Sequence, residues 1–237
     1  MKRVFFPLFL SLLLVLAACG DVAVPTPTPI PPTPTPSPED WLERAVETWN
    51  ELEGFHFALT IEERTIELDE EGVLSFGEAE GDVLAPDRMQ AETTVQTPFG
   101  STPVAFIAIG ENQWLTNPAS GEWEEAPPDM QVEVTELFAP GEGIGEILAD
   151  MENVERLADE EVEDTVTVHL RGTLPGTLLV DFADDLPETV NVDMWIGEDE
   201  YRIHKLVITE PTDEGPEPVW TFLFSRFDDP AAIEPPF

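Results

Sequence analysis

Cysteine occurs once in the 237 residues, at Cys19, so the chain can form no internal disulfide. Lysine and arginine number only ten against fifty aspartates and glutamates, a formal net charge of −40. Such a surface repels phosphate backbones and lacks the basic clusters that anionic headgroups recruit, which argues against nucleic acid as a partner. Histidine is scarce: His56, His169 and His204 each fall on the polar side of a predicted strand and read as solvated. There is no Gly-x-Ser-x-Gly elbow, His-Glu-x-x-His pair or P-loop. The stretch Gly141-Glu142-Gly143-Ile144-Gly145 lacks the dinucleotide spacing and reads as a flexible entry to a helix. Asp181, Asp184 and Asp185 lie close together, but without EF-hand spacing and at a crowding that fifty acids produce by chance. The expectation is a protein without catalysis, metal or cofactor. Hydrophobic residues still make up 42% of the chain, too many for a disordered acidic tail, so the acidity reads as solubility in a salty, acidic or cation-rich exterior.

What is present begins at the N-terminus. Lys2 and Arg3 precede an apolar run, and small residues lead to the lone cysteine in Leu16-Ala17-Ala18-Cys19-Gly20. The run holds about fifteen residues, short of the roughly 20 needed to span a bilayer. Leu-Ala-Ala-Cys is the lipobox pattern of bacterial lipoproteins, in which the thiol receives a diacylglycerol and the signal is cut in front of it. Residues 1–18 are thus expected to be a signal peptide and Cys19 a lipid attachment point on the extracytoplasmic face of the cell membrane. Residues 19–38 continue as a Thr/Pro-rich stalk, because alternating Thr and Pro remove backbone donors and hold φ near the polyproline value. At about 3.1 Å per residue such a stalk extends some 50 Å.

The folded domain is expected over 39–237, and the short turns at 126–128 and 214–218 are too brief to divide it. A helix over 39–53 carries Trp41, Leu42, Ala45, Val46, Trp49 and Leu52 at 3.6-residue spacing, with Gly54 as its end signal. The period then changes to two: Phe55, Phe57, Leu59 and Ile61 alternate with His56, Ala58, Thr60 and Glu62. Further strands are expected over 65–68, 73–83, 89–96, 104–109, 113–116, 165–171, 190–196, 202–209 and 219–227, separated by turns such as 69–72, 98–100 and 117–121. In two of them the alternation is clean. Val166, Val168 and Leu170 oppose Thr167, His169 and Arg171; Val190, Val192, Met194 and Ile196 oppose Asn191, Asp193 and Trp195. Short turns between strands imply an antiparallel sheet. Three helices, over 39–53, 132–138 and 144–151, are a thin cover for its dry face. Either the sheet curls onto itself or a gap remains for an apolar ligand.

Several segments resemble the LppX/LprAFG lipoproteins. These are Trp41 through Glu63 (WLERAVETWNELEGFHFALTIEE), Gly81-Asp82-Val83-Leu84-Ala85-Pro86-Asp87-Arg88-Met89, where a strand pair turns at Pro-Asp, and Ile109-Gly110-Glu111-Asn112-Gln113-Trp114 with Gly121-Glu122-Trp123. Val190-Asn191-Val192-Asp193-Met194-Trp195-Ile196-Gly197 followed by Tyr201-Arg202-Ile203-His204-Lys205-Leu206, and the closing Phe224-Ser225-Arg226-Phe227-Asp228-Asp229-Pro230, complete the resemblance. The long Thr-Pro stalk departs from the family's pattern. The resemblance implies an α+β fold, a half-open antiparallel β-barrel with a few helices over its concave face as in LolA and LolB, holding acyl chains between them. Lining residues on the dry faces would be Phe55, Phe57, Leu59, Ile61, Val104, Phe106, Val166, Val168, Leu170, Val190, Val192 and Met194, roofed by Trp41, Trp49 and Leu52. Partners would be a lipid or glycolipid, the membrane through the anchor, and an envelope transporter. The competing readings are a filled core, and a sensor or protein-interaction module on the same fold.

Overall fold

The computed structural model describes residues 36–67, 75–97, 100–128, 134, 143–180, 183 and 185–237. Residues 36–237 form one compact unit. Along the chain run α1 (Pro38–Asn50), β1 (Gly54–Glu62), β2 (Ile66–Glu67), β3 (Ser75–Phe76), β4 (Glu78–Leu84), β5 (Arg88–Thr97), β6 (Gly100–Ile109), β7 (Asn112–Thr116) and β8 (Trp123–Glu125). They are followed by α2 (Ile144–Ala149), β9 (Glu152–Arg156), β10 (Glu160–Val162), β11 (Thr165–Pro175), a 3-10 turn (Gly176–Leu179), β12 (Thr189–Gly197), β13 (Ile203–Thr209) and β14 (Val219–Ser225). No helix among the described residues is long and apolar enough to cross a membrane. The helix expected over 132–138 lies outside the described residues except for buried Val134.

Helix α1 starts where Ser37 and Asp40 satisfy each other's exposed amides: the Asp40 N–H donates to Ser37 Oγ (3.1 Å) and the Ser37 N–H to Asp40 Oδ2 (2.8 Å), with Pro38 in the first turn. Its apolar stripe buries Trp41, Leu42, Ala45, Val46 and Trp49. The helix stops at Asn50 with Glu51 as its C-cap, earlier than the Gly54 signal suggests. Gly54 instead opens β1 and serves close packing, since a Cβ there would lie 2.5 Å from the Val83 carbonyl oxygen and 2.7 Å from Pro230 Cγ.

All pairings in the sheet are antiparallel, and its main path runs β10-β11-β12-β13-β14-β1-β4-β5-β6-β7-β8. The N-terminal strand thus sits mid-sheet between the C-terminal strand and β4, so the sheet is complete only when both ends of the domain have folded. The curved sheet stays open, ending in two three-residue edges, Trp123-Glu124-Glu125 and Glu160-Glu161-Val162. Short, acidic edges discourage further strand addition. Sequence patterning missed them, together with β9, for the same reason: they contain too few apolar residues to alternate.

Register locks one apolar face across the sheet. One transverse row reads Leu170, Met194, Leu206, Phe222, Leu59, Ala79, Thr93, Val104. The neighbouring row reads Phe224, Phe57, Gly81, Ala91, Phe106, Leu115. The two helices pack on this inner face. Gly81 stands in the second row at a very tight strand contact, where a Cβ would meet the Gln90 carbonyl oxygen at 2.0 Å. Gly81→Ala is therefore expected to cost about 1–3 kcal/mol through forced strand separation. The check is a urea midpoint that falls with unchanged slope; an unchanged midpoint would show that β4 and β5 part freely.

The dry face assigned to β11 needs correction at its start, and its wet face needs more. Val168 and Leu170 are buried, but Val166, the second residue of the strand, is 54% exposed. Thr167, His169, Asp193 and Trp195, expected in water, are buried. His169 stacks on Trp195 (centroids 4.2 Å apart) with its Nε2 2.6 Å from Asp193 Oδ1. Arg171 donates to the same carboxylate oxygen, the Trp195 indole N–H donates to Glu160 Oε2 (3.0 Å), and Lys205 caps the Trp195 ring. Long charged side chains thus lie over this stack and bury it. His56 and His204 also hold carboxylate partners, Asp82 (3.3 Å) and Glu200 (2.8 Å), so none of the three histidines is isolated.

Candidate functional site: an apolar cavity on the inner face

The inner face is not filled throughout. Between its central strands and α2 lies a cavity of about 390 Å³, within the span of small-ligand pockets. Among the described residues its wall comprises nineteen side chains, every one apolar. β1 contributes Phe55, Phe57 and Leu59; β2 to β5 contribute Ile66, Phe76, Val83 and Met89; β13 and β14 contribute Leu206, Ile208, Trp220, Phe222 and Phe224. Ile144, Ile147 and Leu148 of α2 form the opposite side, and Leu174, Leu179, Ala183 and Leu186 complete the wall. Among the described residues this wall offers water no free hydrogen-bond partner, and it favours hydrocarbon.

One wall residue with a polar atom has it tied away. The Trp220 indole N–H donates to Glu210 Oε1 (2.7 Å), and Arg64 pairs with the other Glu210 oxygen at 2.9 Å. Glu210 is buried, so Arg64 supplies the countercharge that its burial requires. This clamp fixes the indole with its ring against the cavity.

Phe55, Phe57 and Leu59, expected to line an apolar site, stand on the cavity wall. The other expected lining residues lie elsewhere. Leu170, Val190, Val192 and Met194 are fully buried, and Val168 nearly so, in the core shared with Trp41, Trp49, Leu52 and Ile61. Val104 belongs to a separate small cluster with Val95, Leu115 and Ala126, against which Phe106 packs. Val166 is exposed. Trp49 backs the cavity, touching Phe55 and Phe224 with ring centroids 4.9 Å apart in each case. Sequence reasoning assigned no lining role to β14, α2 or 174–186. β14 is apolar at nearly every position, which hides its face, and α2 has only six residues, too few for a periodic signal.

The outer face carries a second depression, of about 380 Å³, with His56, Asp82, Gln90, Glu92, Ile107, Trp123 and Arg226 on its wall. Its floor is an ion-paired network centred on buried Asp82. Arg226 Nη2 lies 2.9 Å from Asp82 Oδ1, Gln90 Nε2 donates to Oδ2 at 3.1 Å, and the Ala231 N–H donates to Oδ1 at 3.3 Å. Burial opposes ionisation of Asp82, but these hydrogen bonds and the Arg226 and His56 charges outweigh it and hold the carboxyl below its usual range. A depressed folded pKa stabilises the fold above the unfolded value of about 3.9 and loses that contribution as pH falls through the folded value. Wild type is thus expected to lose stability below about pH 5 more steeply than Asp82→Asn, as followed by urea midpoints against pH; parallel curves would remove Asp82 from the acid transition. Among the described residues no group of His, Cys, Asp and Glu is arranged to hold a metal. Asp181 and Asp184 lie outside the described residues.

The LppX_LprAFG lipoprotein family model matches residues 37–233. Among solved structures, LprF from Mycobacterium bovis superposes with TM-score 0.66 at 14% identity, covering 86% of this chain and 99% of that one. The lipoprotein LppX of Mycobacterium tuberculosis superposes with TM-score 0.62 at 16% identity, covering 83% and 98%. A LolA superfamily protein from Nitrosomonas europaea aligns over 85% of this chain and 96% of that one, at 14% identity and a TM-score of only 0.28. No curated protein matches the chain.

Proposed function

The chain belongs to the LppX/LprAFG lipoprotein family, and from that premise we propose that its folded domain takes up acyl chains of a lipid or glycolipid in the inner cavity and carries them within the envelope. The observation that carries this is the wall itself: among the described residues, nineteen apolar side chains around about 390 Å³, with the Trp220 indole N–H clamped outward. Each methylene moved from water into such a space contributes about 0.8 kcal/mol. Ten of them supply about 8 kcal/mol, a micromolar dissociation constant before the costs of ordering the chain. No polar contact is needed for affinity, so the headgroup stays at the mouth.

The lipobox cysteine and the Thr/Pro segment complete the proposal. Residues 1–18 are a cleaved signal, Cys19 is acylated, and residues 19–38 hold the domain of 39–237 off the extracytoplasmic face of the membrane. A tethered carrier would sample the lipids within reach of its stalk.

The test uses residues 36–237, which form a compact unit. After incubation with a membrane lipid extract and repurification, the protein is expected to yield close to one equivalent of acyl lipid on solvent extraction. Folded protein that emerges lipid-free would overturn the proposal.

A further inference from the structure

We infer that the outer depression is a second binding site, built for a neutral saccharide. It faces away from the acyl-chain cavity. His56, Asp82, Gln90 and Ile107 share one register row, and Glu80, Glu92 and Ala105 share another, on the side of the sheet opposite Phe57 and Leu59. The inference therefore stands apart from the proposed use of the inner cavity.

The ion-paired floor holds its side chains in place without using up their hydrogen-bonding capacity. Among the described residues, Arg226 reaches Asp82 and His56 through Nη2, and its side chain stays 47% exposed. A guanidinium carries five N–H donors, so several point outward unspent. His56 meets both partners through Nδ1, and Gln90 donates from Nε2 to Asp82. That leaves His56 Nε2 and the Gln90 carbonyl oxygen without partners among the described residues. Beside them Glu80 and Glu92 stand directly opposite one another on β4 and β5, both exposed and neither paired with a cation among the described residues. Trp123 completes the wall from β8, half-buried, with no ring or cation against its indole among the described residues.

This mixture of groups selects the ligand class. An anion would meet Glu80 and Glu92, and a cation would meet the Arg226 guanidinium. Either leaves groups of its own sign unmatched. A purely apolar ligand would strip water from carboxylates and a guanidinium without replacing their hydrogen bonds. An uncharged polyhydroxyl ring matches every part of the wall. Its hydroxyls donate to the two carboxylates and the Gln90 carbonyl and accept from Arg226, while its C–H face lies on the Trp123 indole and Ile107.

The test follows the indole N–H signals of ¹⁵N-labelled residues 36–237 by NMR, with the Trp123 signal identified by its loss in Trp123→Phe. Cellotriose, maltotriose, mannotriose and chitotriose are the probes, and spermidine is the cationic control. At least one sugar is expected to shift the Trp123 signal saturably at about millimolar concentration, with Trp49 and Trp220 on the inner face unmoved. Trp123→Ala, read through the Gln90 side-chain amide, should weaken that binding about tenfold. Glu80→Gln with Glu92→Gln should weaken it several-fold. Binding of an uncharged ligand should hold between about 0.1 M and about 1 M salt. No Trp123 shift with any of the sugars would overturn the inference, as would undiminished binding by Trp123→Ala. A shift produced by spermidine alone, and abolished by salt, would replace the saccharide with an organic cation and overturn it too. Each of these results leaves acyl-chain binding on the inner face untouched.

Discussion

Replacing Ile144 and Ile147 together with tryptophan is expected to weaken acyl-chain binding about a hundredfold while leaving the fold intact. Both side chains reach the cavity from α2 and both are only half-buried, so larger rings have somewhere to go: into the space itself. Displacing three or four methylenes forfeits about 3 kcal/mol at 0.8 kcal/mol each, which is the hundredfold stated. The exchange lies on a short helix away from the strand ladders, so the melting temperature should shift by only a few degrees. Hexadecanol titration of wild type and double variant checks the outcome. Equal affinities would place the ligand somewhere other than beside α2.

The largest stability effect is expected at Trp49. This residue is 3% exposed and is packed edge-on and tilted against Phe224 and Phe55. Trp49→Ala should cost about 3–5 kcal/mol, the range for removing a buried aromatic that leaves a void. Trp49→Phe should cost much less. Among the described residues the Trp49 indole N–H finds no acceptor, and removing that buried donor offsets part of the lost contact. Denaturant midpoints for the two variants measure the contrast; equal losses would mean that the nitrogen is paired in solution. The same substitution reaches function, because Phe55 and Phe224 lean on Trp49 and form cavity wall on their other side. With the indole gone they can retreat, so the cavity widens beside β1 and β14 and its affinity for 1-hexadecanol should change, as titration of wild type and Trp49→Ala measures.

How much of this was legible in the sequence differs from element to element. α1 was readable because its apolar residues recur at helical spacing and Pro38 and Asp40 mark its start. β1 was readable from strict alternation, which also placed Phe55, Phe57 and Leu59 on one face. The strand pairing was not readable. β1 lies between β14 and β4, a non-local arrangement fixed by register that no window of sequence contains. Nor could alternation distinguish an open dry face from a filled one. Val192 and Met194 have the same pattern as Phe57 and Leu59, yet they are sealed in the core while the phenylalanine and leucine border a void. That difference depends on the summed volumes of side chains brought from α1, α2 and several strands, with Trp41 and Trp49 filling one side only. The outer face failed for a related reason. His169 and Asp193 look like solvent-facing polar residues, and they are buried because Glu160, Arg171 and Lys205 fold their long side chains across Trp195 and its neighbours.

The most direct test of the central claim is where a chain binds. Residues 36–237 carrying ¹³C-labelled isoleucine methyls would be examined by NMR with and without 1-hexadecanol. The inner cavity predicts intermolecular contacts and shifts at Ile66, Ile144, Ile147 and Ile208, with Ile107 on the outer depression unmoved. Contacts confined to Ile107, or none at the four inner methyls of a saturated protein, would contradict the cavity as the lipid site.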